Sequence, residues 1–303
     1  MLDVLSKAGA FIGIIVMGYL LKRKGFFCLK DFYFVSKIVV KITLPCAIIY
    51  NFSQITLEKS LLALIGIGFC CNVVMVALGY LLSRGGSRED KAFGAINASG
   101  YNIGNFTLPF VQSFLGPSGV VACSLFDTGN AVMCTGLTYS IGAAIAGKGG
   151  KVSVKNVART LFSSLPFDAY LLMSVLALLK LELPAAAVSF AQTAGNANPF
   201  LALLMIGIGF EIRLEKSKLS RLVKLLILRY SAAAVMGAAL FLLCPFDLQI
   251  RKALLIIAFG PVSSVATAYT GALDGDVELS SAMNSLSILI SIACITGLLL
   301  VLP

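Results

Sequence analysis

One carboxylate stands deep inside an apolar stretch of this sequence. Asp127 occurs in Phe126-Asp-Thr-Gly-Asn, and Asn130 lies three residues further on, so the two side chains share one face of a helix. A charged group inside a membrane is costly and is usually functional. Asp127 is therefore our candidate ion-coupling residue, which would carry a proton or a cation beside a substrate. The alternative is a structural role, in which Asp127 is a hydrogen-bond partner for a broken helix nearby.

Two other apolar stretches combine helix-breaking residues with amides and hydroxyls. Residues 92–114 contain Gly100, Gly104 and Pro109, and a later stretch contains Gly260 and Pro261. Backbone groups that such breaks leave unpaired are tolerated at membrane depth only beside protein or a wet cavity. We interpret the two stretches as broken helices that cross at mid-membrane, where half-helix N-termini offer N–H groups to an anion. The alternative is a pair of kinked structural helices.

The candidate substrate-binding residues are the polar and proline positions of these two stretches, together with the amide beside Asp127. They are Asn102, Asn105, Thr107, Pro109, Asn130, Pro261, Ser263 and Ser264. The amides and Thr107 could also satisfy unwound backbone, so binding and structural roles are both open for them.

Enzymatic chemistry finds little support. There is no His, which excludes HExxH metalloproteases, and there is neither a GxSxG elbow nor a Walker loop. The 8 Cys form no CxxC pair, so we interpret them as small buried residues rather than metal ligands. Leu273-Asp-Gly-Asp lies at a loop and fits an intramembrane aspartyl protease poorly. We predict no enzyme activity, no metal and no cofactor, and we leave H⁺ or Na⁺ coupling open.

The elements that position these residues must be transmembrane helices. The chain has 303 residues, of which 58% are hydrophobic and 13% charged, whereas soluble domains are about 45–50% apolar and about 25% charged. The apolar runs are long and continuous, unlike the short alternating strands of a membrane β-barrel. The net charge of +10 comes from basic residues between these runs, which indicates membrane topology rather than nucleic-acid binding.

About ten stretches are suited to span a membrane, which takes roughly 20 residues each. In the first half they are Val4–Leu21, Phe32–Phe52, Ser60–Leu82, Ala92–Phe114 and Gly119–Ala146. In the second half they are Leu165–Leu181, Ala185–Phe210, Leu222–Leu243, Ala253–Ala272 and Leu279–Leu300. Lys22-Arg23-Lys24 follows the first stretch in place of a cleavage site, so we retain it as a mature helix.

The distribution of basic residues predicts that both termini lie outside. With this orientation the inner loops hold 16 of the 24 Lys and Arg, among them Lys151 and Arg213, and the outer segments hold 5. The last inner loop is acidic, but acidic residues contribute little to orientation. Among the charges inside spans, we interpret Lys37 as snorkelling to the interface and leave Lys41 as a second candidate to meet an anion.

Asp168 and Arg229 lie about one turn inside the sixth and eighth spans, and we interpret both as interfacial.

The two halves share their helix breakers. Pro45 in the second span corresponds to Pro199 in the seventh, and the broken fourth span corresponds to the broken ninth. Because five is odd, a second unit of five spans must be inverted relative to the first, which is the plan of many secondary transporters. The predicted fold is thus an all-α polytopic membrane protein with inverted repeats over 1–147 and 161–303, joined by a cytoplasmic loop over 148–160.

Three motifs resemble the auxin efflux carrier family of permeases in its bacterial form. They are Tyr101-Asn-Ile-Gly-Asn-Phe-Thr-Leu-Pro, Phe126-Asp-Thr-Gly-Asn, and the run from Phe259-Gly-Pro to Leu273-Asp-Gly-Asp-Val-Glu-Leu-Ser-Ser-Ala. Asn102 and Pro109 keep the seven-residue separation of the family's Asn-Thr-Gly-Phe-x-Gly-x-Pro run. The sequence departs from that run at Thr107, where Gly is expected, and at Asn105, where the family usually has an apolar residue.

The resemblance implies a support domain of spans one, two, six and seven. It also implies a mobile transport domain of spans three to five and eight to ten, which moves like an elevator and has its crossing at Pro109 and Pro261. Relatives carry indole-acetate or dicarboxylates such as malate, and nothing in this sequence chooses among them.

We expect a multi-pass carrier of the cell (inner) membrane that moves a small organic anion by alternating access. The expected partners are that anion, the lipid bilayer and a second copy bound through the support domain, but no nucleic acid. The alternatives are a sodium-coupled symporter of the bile-acid type, with sodium at Asp127, and a membrane sensor that binds without transport. We also expect Asn102→Ala and Asn130→Ala to abolish transport while folding stays near normal.

Overall fold

The computed structural model of the protein describes residues 2–149, 154–211 and 215–302, so the predicted inner-loop positions Lys151 and Arg213 lie outside the described residues. The helices of the first half are α1 Leu2–Arg23, α2 Leu29–Ile38, α3 Leu44–Phe52, α4 Ala63–Leu82, α5 Arg88–Ala98, α6 Leu108–Val132 and α7 Thr138–Ala146. Those of the second half are α8 Val154–Leu161, α9 Leu165–Leu178, α10 Ala185–Asn196, α11 Asn198–Gly209, α12 Leu219–Leu243, α13 Leu248–Ala258, α14 Val265–Ala272 and α15 Val277–Val301.

Six helical stretches of the described chain are long and apolar enough to cross a membrane. They are Val4–Arg23, Leu29–Phe52, Lys59–Leu82, Ile103–Ala146, Leu219–Leu243 and Val277–Val301. With no named strand among the described residues, the all-helical, multi-pass prediction is confirmed. Predicted spans six, seven and nine fall on helices that are shorter than these six stretches. The count of ten spans and the inverted repeat stay predictions.

Pro45 and Pro199 do not break the helical stretches in which they lie. Pro199 lies in the first turn of α11, where a missing N–H removes no intrahelical hydrogen bond, and Pro45 lies inside the continuous stretch Leu29–Phe52. A five-residue π-helical turn, Val39–Thr43, joins α2 to α3. The 44-residue stretch Ile103–Ala146 is interrupted at Gly116, whose φ of 64° and ψ of −156° are not helical. This point lies between predicted spans four and five.

The helices pack as two sets. In one set α1 packs along α11, and α3 packs on α9 and α10. In the other, α4 packs between α5 and α6, α5 packs on α7, and α13 packs on α12 and α6. The largest buried cluster lies where the sets meet, and there the ring of Phe110 meets that of Phe11 edge-on at 4.9 Å.

Within each set, glycines bring helix backbones into direct contact. A Cβ on Gly129 of α6 would lie 2.0 Å from the carbonyl oxygen of Ile65 in α4, and a Cβ on Gly207 of α11 would lie 2.2 Å from that of Ile15 in α1. Small residues that let helices approach this closely are a main device of membrane helix packing. Between the sets the contact is different, since a Cβ on Gly104 would meet the side chain of Leu44.

Candidate functional site

The first broken helix is interrupted at residues 99–102. After α5 ends at Ala98, Gly100 takes a φ of +74°, a conformation that glycine adopts without steric cost. Helical structure resumes at Ile103 as a π-helical turn that leads into α6. Of the residues that we predicted to weaken this helix, Gly100 thus lies in the interruption, whereas Gly104 and Pro109 lie after it. Gly104 lies in the π-helical turn, and Pro109 follows directly after that turn inside the helical stretch that begins at Ile103, which it does not interrupt.

The second broken helix is interrupted where the sequence indicated. α13 ends at Ala258, α14 begins at Val265, and Gly260-Pro261 lies between them.

The two interruptions contact each other through their backbones. Tyr101 and Val262 form an isolated antiparallel β-bridge, and the Asn102 N–H donates to the Pro261 carbonyl at 3.0 Å. The crossing thus involves Tyr101 rather than Pro109, which is buried in the core one helical segment away. Pro261 does lie at the crossing, as expected.

Asparagines from two other helices satisfy the unwound backbone of the first break. The Asn130 side chain accepts from the Tyr101 N–H at 3.1 Å and donates to the Tyr101 carbonyl at 3.0 Å. Asn72 of α4 accepts from the Gly100 N–H at 2.8 Å and donates to Asn130 at 3.1 Å. Sequence reasoning missed Asn72, although a lone amide in the apolar run Ser60–Leu82 was a signal.

Side chains of α15 form hydrogen bonds with the unwound backbone of the second break. Ser287 accepts from the Val262 N–H at 3.0 Å, and Asn284 donates to the Val262 carbonyl at 3.1 Å. Ser291 donates to the Phe259 carbonyl at 2.6 Å. None of these three residues was predicted.

Arg229 connects the two breaks and is not interfacial, which corrects the sequence prediction. Its side chain is 1% exposed, and its terminal nitrogens contact the carbonyl oxygens of Ala98 at 2.7 Å, Gly100 at 2.9 Å, Gly260 at 2.8 Å and Pro261 at 3.0 Å. The prediction failed because these partners are backbone groups, which have no signature in the sequence.

Asp127 and Asn130 share a helix face, as their spacing predicts. Asn130 donates to one carboxylate oxygen of Asp127 at 2.8 Å, and the Tyr170 hydroxyl of α9 donates to the other at 2.9 Å. Asp127 is thereby joined to the first break through Asn130 and to the other helix set through Tyr170. Tyr170 was not predicted.

A cavity of about 650 Å³ ends on the crossing. Of the predicted substrate-binding residues, it is lined by Asn102, Asn105 and Ser264. The Asn102 side chain is 8% exposed and hydrogen-bonds to no described residue, and the Oδ1 atom of Asn105 is buried without a partner among the described residues. The amides that line this cavity therefore have free hydrogen-bonding capacity.

The other predicted site residues lie outside that cavity. Asn130 and Pro261 take part in the hydrogen bonds of the crossing, and the Thr107 hydroxyl donates to the Asn102 carbonyl at 3.3 Å. Ser263 is buried on another side of the crossing, beside Gly100. Lys41 and Lys37 are exposed on the helix surface and do not line the cavity, so Lys41 does not lie at this site.

Charged pairs lie at the helix ends on the side where the cavity opens. Lys148 donates to the Leu273 carbonyl and contacts the Asp274 carboxylate at 2.8 Å, and this hydrogen bond holds the pKa of Asp274 below its usual value. Lys218 contacts Asp276 at 3.0 Å. These pairs join the start of α15 to the first half of the chain and to the start of α12.

Long apolar helices, with two unwound segments paired in the interior, define a multi-pass helical membrane protein. Residues 10–161 match the family model described as membrane transport protein, and the chain belongs to this family, the auxin efflux carrier family of permeases. It is therefore a membrane transporter, and its family is not an enzyme family. A comparison with curated proteins gives no match.

Proposed function

We propose that this transporter is a secondary carrier that moves a small organic anion by alternating access. The observation that supports it is the cavity at the crossing, which is lined by Asn102 and Asn105, both with unused hydrogen-bonding capacity, and by Ser264 at the N-terminal end of α14. Ligand sites with convergent polar groups in a mostly apolar cavity are the usual form of small-molecule sites.

The charge arrangement at the crossing favours an anion. The eight-residue helix α14 directs its N-terminal end, which carries partial positive charge, at the cavity through Ser264. None of the described residues that line the cavity is charged, so no carboxylate there would repel an anion. The amide N–H groups of Asn102 and Asn105 would donate hydrogen bonds to a carboxylate, whether auxin-like or a dicarboxylate, while the unpaired Oδ1 of Asn105 would accept a hydrogen bond from a hydroxyl group.

The cavity walls suggest how access would alternate. One wall is formed by α2 and α11, through Phe32 and Met205, and the other by α14 and α15, through Thr267 and Asn284. We assign the set that contains α1, α3 and α9 to α11 as a support domain, which would also form a homodimer. The other set would be the transport domain, and its movement along the support domain would carry the crossing and its anion across the membrane.

The cavity opens at the end of the helices that carries Lys22, Lys148 and Lys218, because it is lined there by Phe210, which accepts a hydrogen bond from Lys22. With both termini outside, this conformation faces inward. Single cysteines at Ser118 and Lys151, in a cysteine-free background, test the orientation. Labelling of Lys151 from outside intact cells contradicts it.

A thermal-shift screen of the purified protein against organic acids tests the substrate class. A substrate that binds the folded state raises its apparent melting temperature, and Asn102→Ala should remove that shift. Gln192→Ala is the matched control, since Gln192 is an amide on the opposite end of the helices that contacts Tyr50. If no organic acid shifts the protein, or Asn102→Ala shifts as the wild type does, the proposed site is wrong.

Uptake into proteoliposomes then separates the mechanisms. Accumulation driven by a pH gradient supports a proton-coupled carrier with Asp127 as the coupling group. Dependence on a sodium gradient supports a symporter of the bile-acid type instead. Binding without any flux supports a sensor.

A further inference from the structure

Arg229 is the one described charge at the crossing, and it lies at the ends of helices that carry partial negative charge. Carbonyl oxygens at helix C-termini are the negative ends of the helix dipoles. Ala98 is the last residue of α5, and Gly100 follows it, while Gly260 and Pro261 follow the end of α13. The guanidinium contacts all four carbonyl oxygens at 2.7–3.0 Å.

Four converging carbonyl oxygens are the ligand set of an alkali cation. In carriers built on broken helices, unwound carbonyls and half-helix C-terminal ends bind Na⁺ or H⁺. Here an arginine side chain reaches that position from α12, and the ring of Tyr101 lies 5.0 Å from its guanidinium carbon. The cation position is thus occupied by the guanidinium of Arg229 and bordered by the ring of Tyr101.

We propose that Arg229 acts as a tethered cation, which takes the place that a mobile alkali ion would occupy between the two broken helices. It is a positioning residue that does not touch the substrate. The crossing then keeps its positive charge through the whole transport cycle and requires no sodium to assemble. This inference rests on the geometry of the crossing and holds whichever substrate the carrier moves.

Removal of the side chain should leave an empty cation site that a free ion can fill. Arg229→Ala should lower the apparent melting temperature by about 10 °C, since four buried carbonyls lose their partner. Addition of guanidinium chloride at about 10 mM should restore a substantial part of this loss by binding the folded state. Sodium chloride should restore less, and choline chloride, whose cation is too bulky, should restore none.

Arg221→Ala is the matched control. Arg221 lies on the same helix, contacts Asp90 at 2.7 Å and stacks on Phe93 at 4.4 Å, but it is partly exposed and contacts neither break. Its loss should not create a site for guanidinium, so the stability of this variant should not respond to the ion.

If Arg229→Ala cannot be purified, the melting temperatures of Arg229→Lys and of the wild type test the proposal instead. The lysine variant keeps the tethered charge but loses the planar fork, so it should fold with intermediate stability and ignore guanidinium. The wild type should have the same melting temperature in sodium-free choline buffer as in sodium buffer. Wild-type stability of Arg229→Ala, a purified Arg229→Ala that guanidinium does not stabilise, or a sodium requirement for stability that persists in Asp127→Asn would each overturn the proposal. All readouts are made without substrate, so they are independent of the proposed cargo.

Discussion

Each broken helix leaves backbone N–H and carbonyl groups without helical partners, and different side chains pair with these groups in the two helices. The first break depends on the amides of Asn72 and Asn130, which come from α4 and α6. The second depends mainly on α15, where Ser287 pairs with the Val262 N–H and Asn284 pairs with its carbonyl. A single amide thus serves both groups of Tyr101, whereas two residues share the corresponding task at Val262.

The surroundings of the two breaks differ as well. The first is connected through Asn130 to the carboxylate of Asp127, and it is packed between buried helices. The second contacts the thiol of Cys134 through Ser263 and the guanidinium of Arg229, and it lines the cavity through Ser264. The comparison teaches that two broken helices of one crossing need not have equal roles. Both breaks line the cavity, the first through the amide of Asn102 and the second through the helix end at Ser264, but only the first is hydrogen-bonded through Asn130 to the carboxylate of Asp127.

The largest effect on stability is expected for Asn130→Ala. The substitution leaves the Tyr101 N–H and carbonyl without partners in a buried site, which should cost about 2–5 kcal/mol of unfolding free energy. Thermal unfolding in detergent measures it, with Asn102→Ala as the control that should unfold like the wild type. Near-normal stability of Asn130→Ala would contradict the role given to this amide.

This expectation replaces part of the sequence prediction, which treated Asn130→Ala and Asn102→Ala alike. Their local sequences do not distinguish them, because both are amides next to helix breakers. The structure distinguishes them by their hydrogen bonds, since Asn130 is fully engaged and the Asn102 side chain bonds to no described residue.

A smaller effect is expected for Ser287→Ala. Only the Val262 N–H loses its partner, so the cost should be about 1–3 kcal/mol. Ser281→Ala is the control on the same helix, because Ser281 lines the cavity without a role in the backbone pairing. If Ser287→Ala destabilises the protein more than Asn130→Ala does, the proposed difference between the breaks is wrong.

Asp127→Asn should change stability by less than about 1 kcal/mol and yet alter transport. The new amide keeps an acceptor for Asn130 and offers a donor to the Tyr170 hydroxyl, but it cannot bind or release a proton. Counterflow exchange should persist while accumulation driven by a pH gradient disappears. Gradient-driven accumulation at the wild-type level would reassign Asp127 to a structural role beside the first break.

The smallest effect concerns the Lys148 and Asp274 pair beyond the second break. Its hydrogen bond lowers the pKa of Asp274, so any stability it adds is present above the unfolded value of about 4 and is lost as the pH falls below it. Because Asp274 is highly exposed, Lys148→Met should be indistinguishable from the wild type in unfolding at pH 7. A large difference at that pH would show that this pair holds α15 in place.

The sequence was most informative where a residue type dictates backbone chemistry. Gly260-Pro261 cannot continue a helix and does mark the second break, and the spacing of Asp127 and Asn130 does place them in contact. The position of the first break could not be chosen among Gly100, Gly104 and Pro109, because a helix can accommodate a proline that directly follows a π-helical turn, as Pro109 does. Arg229 was misassigned because its depth along α12 says nothing about the carbonyl groups that surround it.

The glycine contacts have a mechanical consequence. Where Gly129 meets the Ile65 backbone, no rotation of a side chain can relieve a displacement, so α4 and α6 must travel as one piece. Where Gly104 faces Leu44, the contact is with a flexible side chain, which can change rotamer far faster than a domain moves. Movement along the surface on which the proposed transport domain would slide would therefore displace side chains and break the Tyr170–Asp127 hydrogen bond, but it would not separate backbones in direct contact such as those at Gly129. The packing between the two helix sets thus depends on side chains such as Leu44. The size of residue 44 would affect the rate at which the proposed transport domain moves.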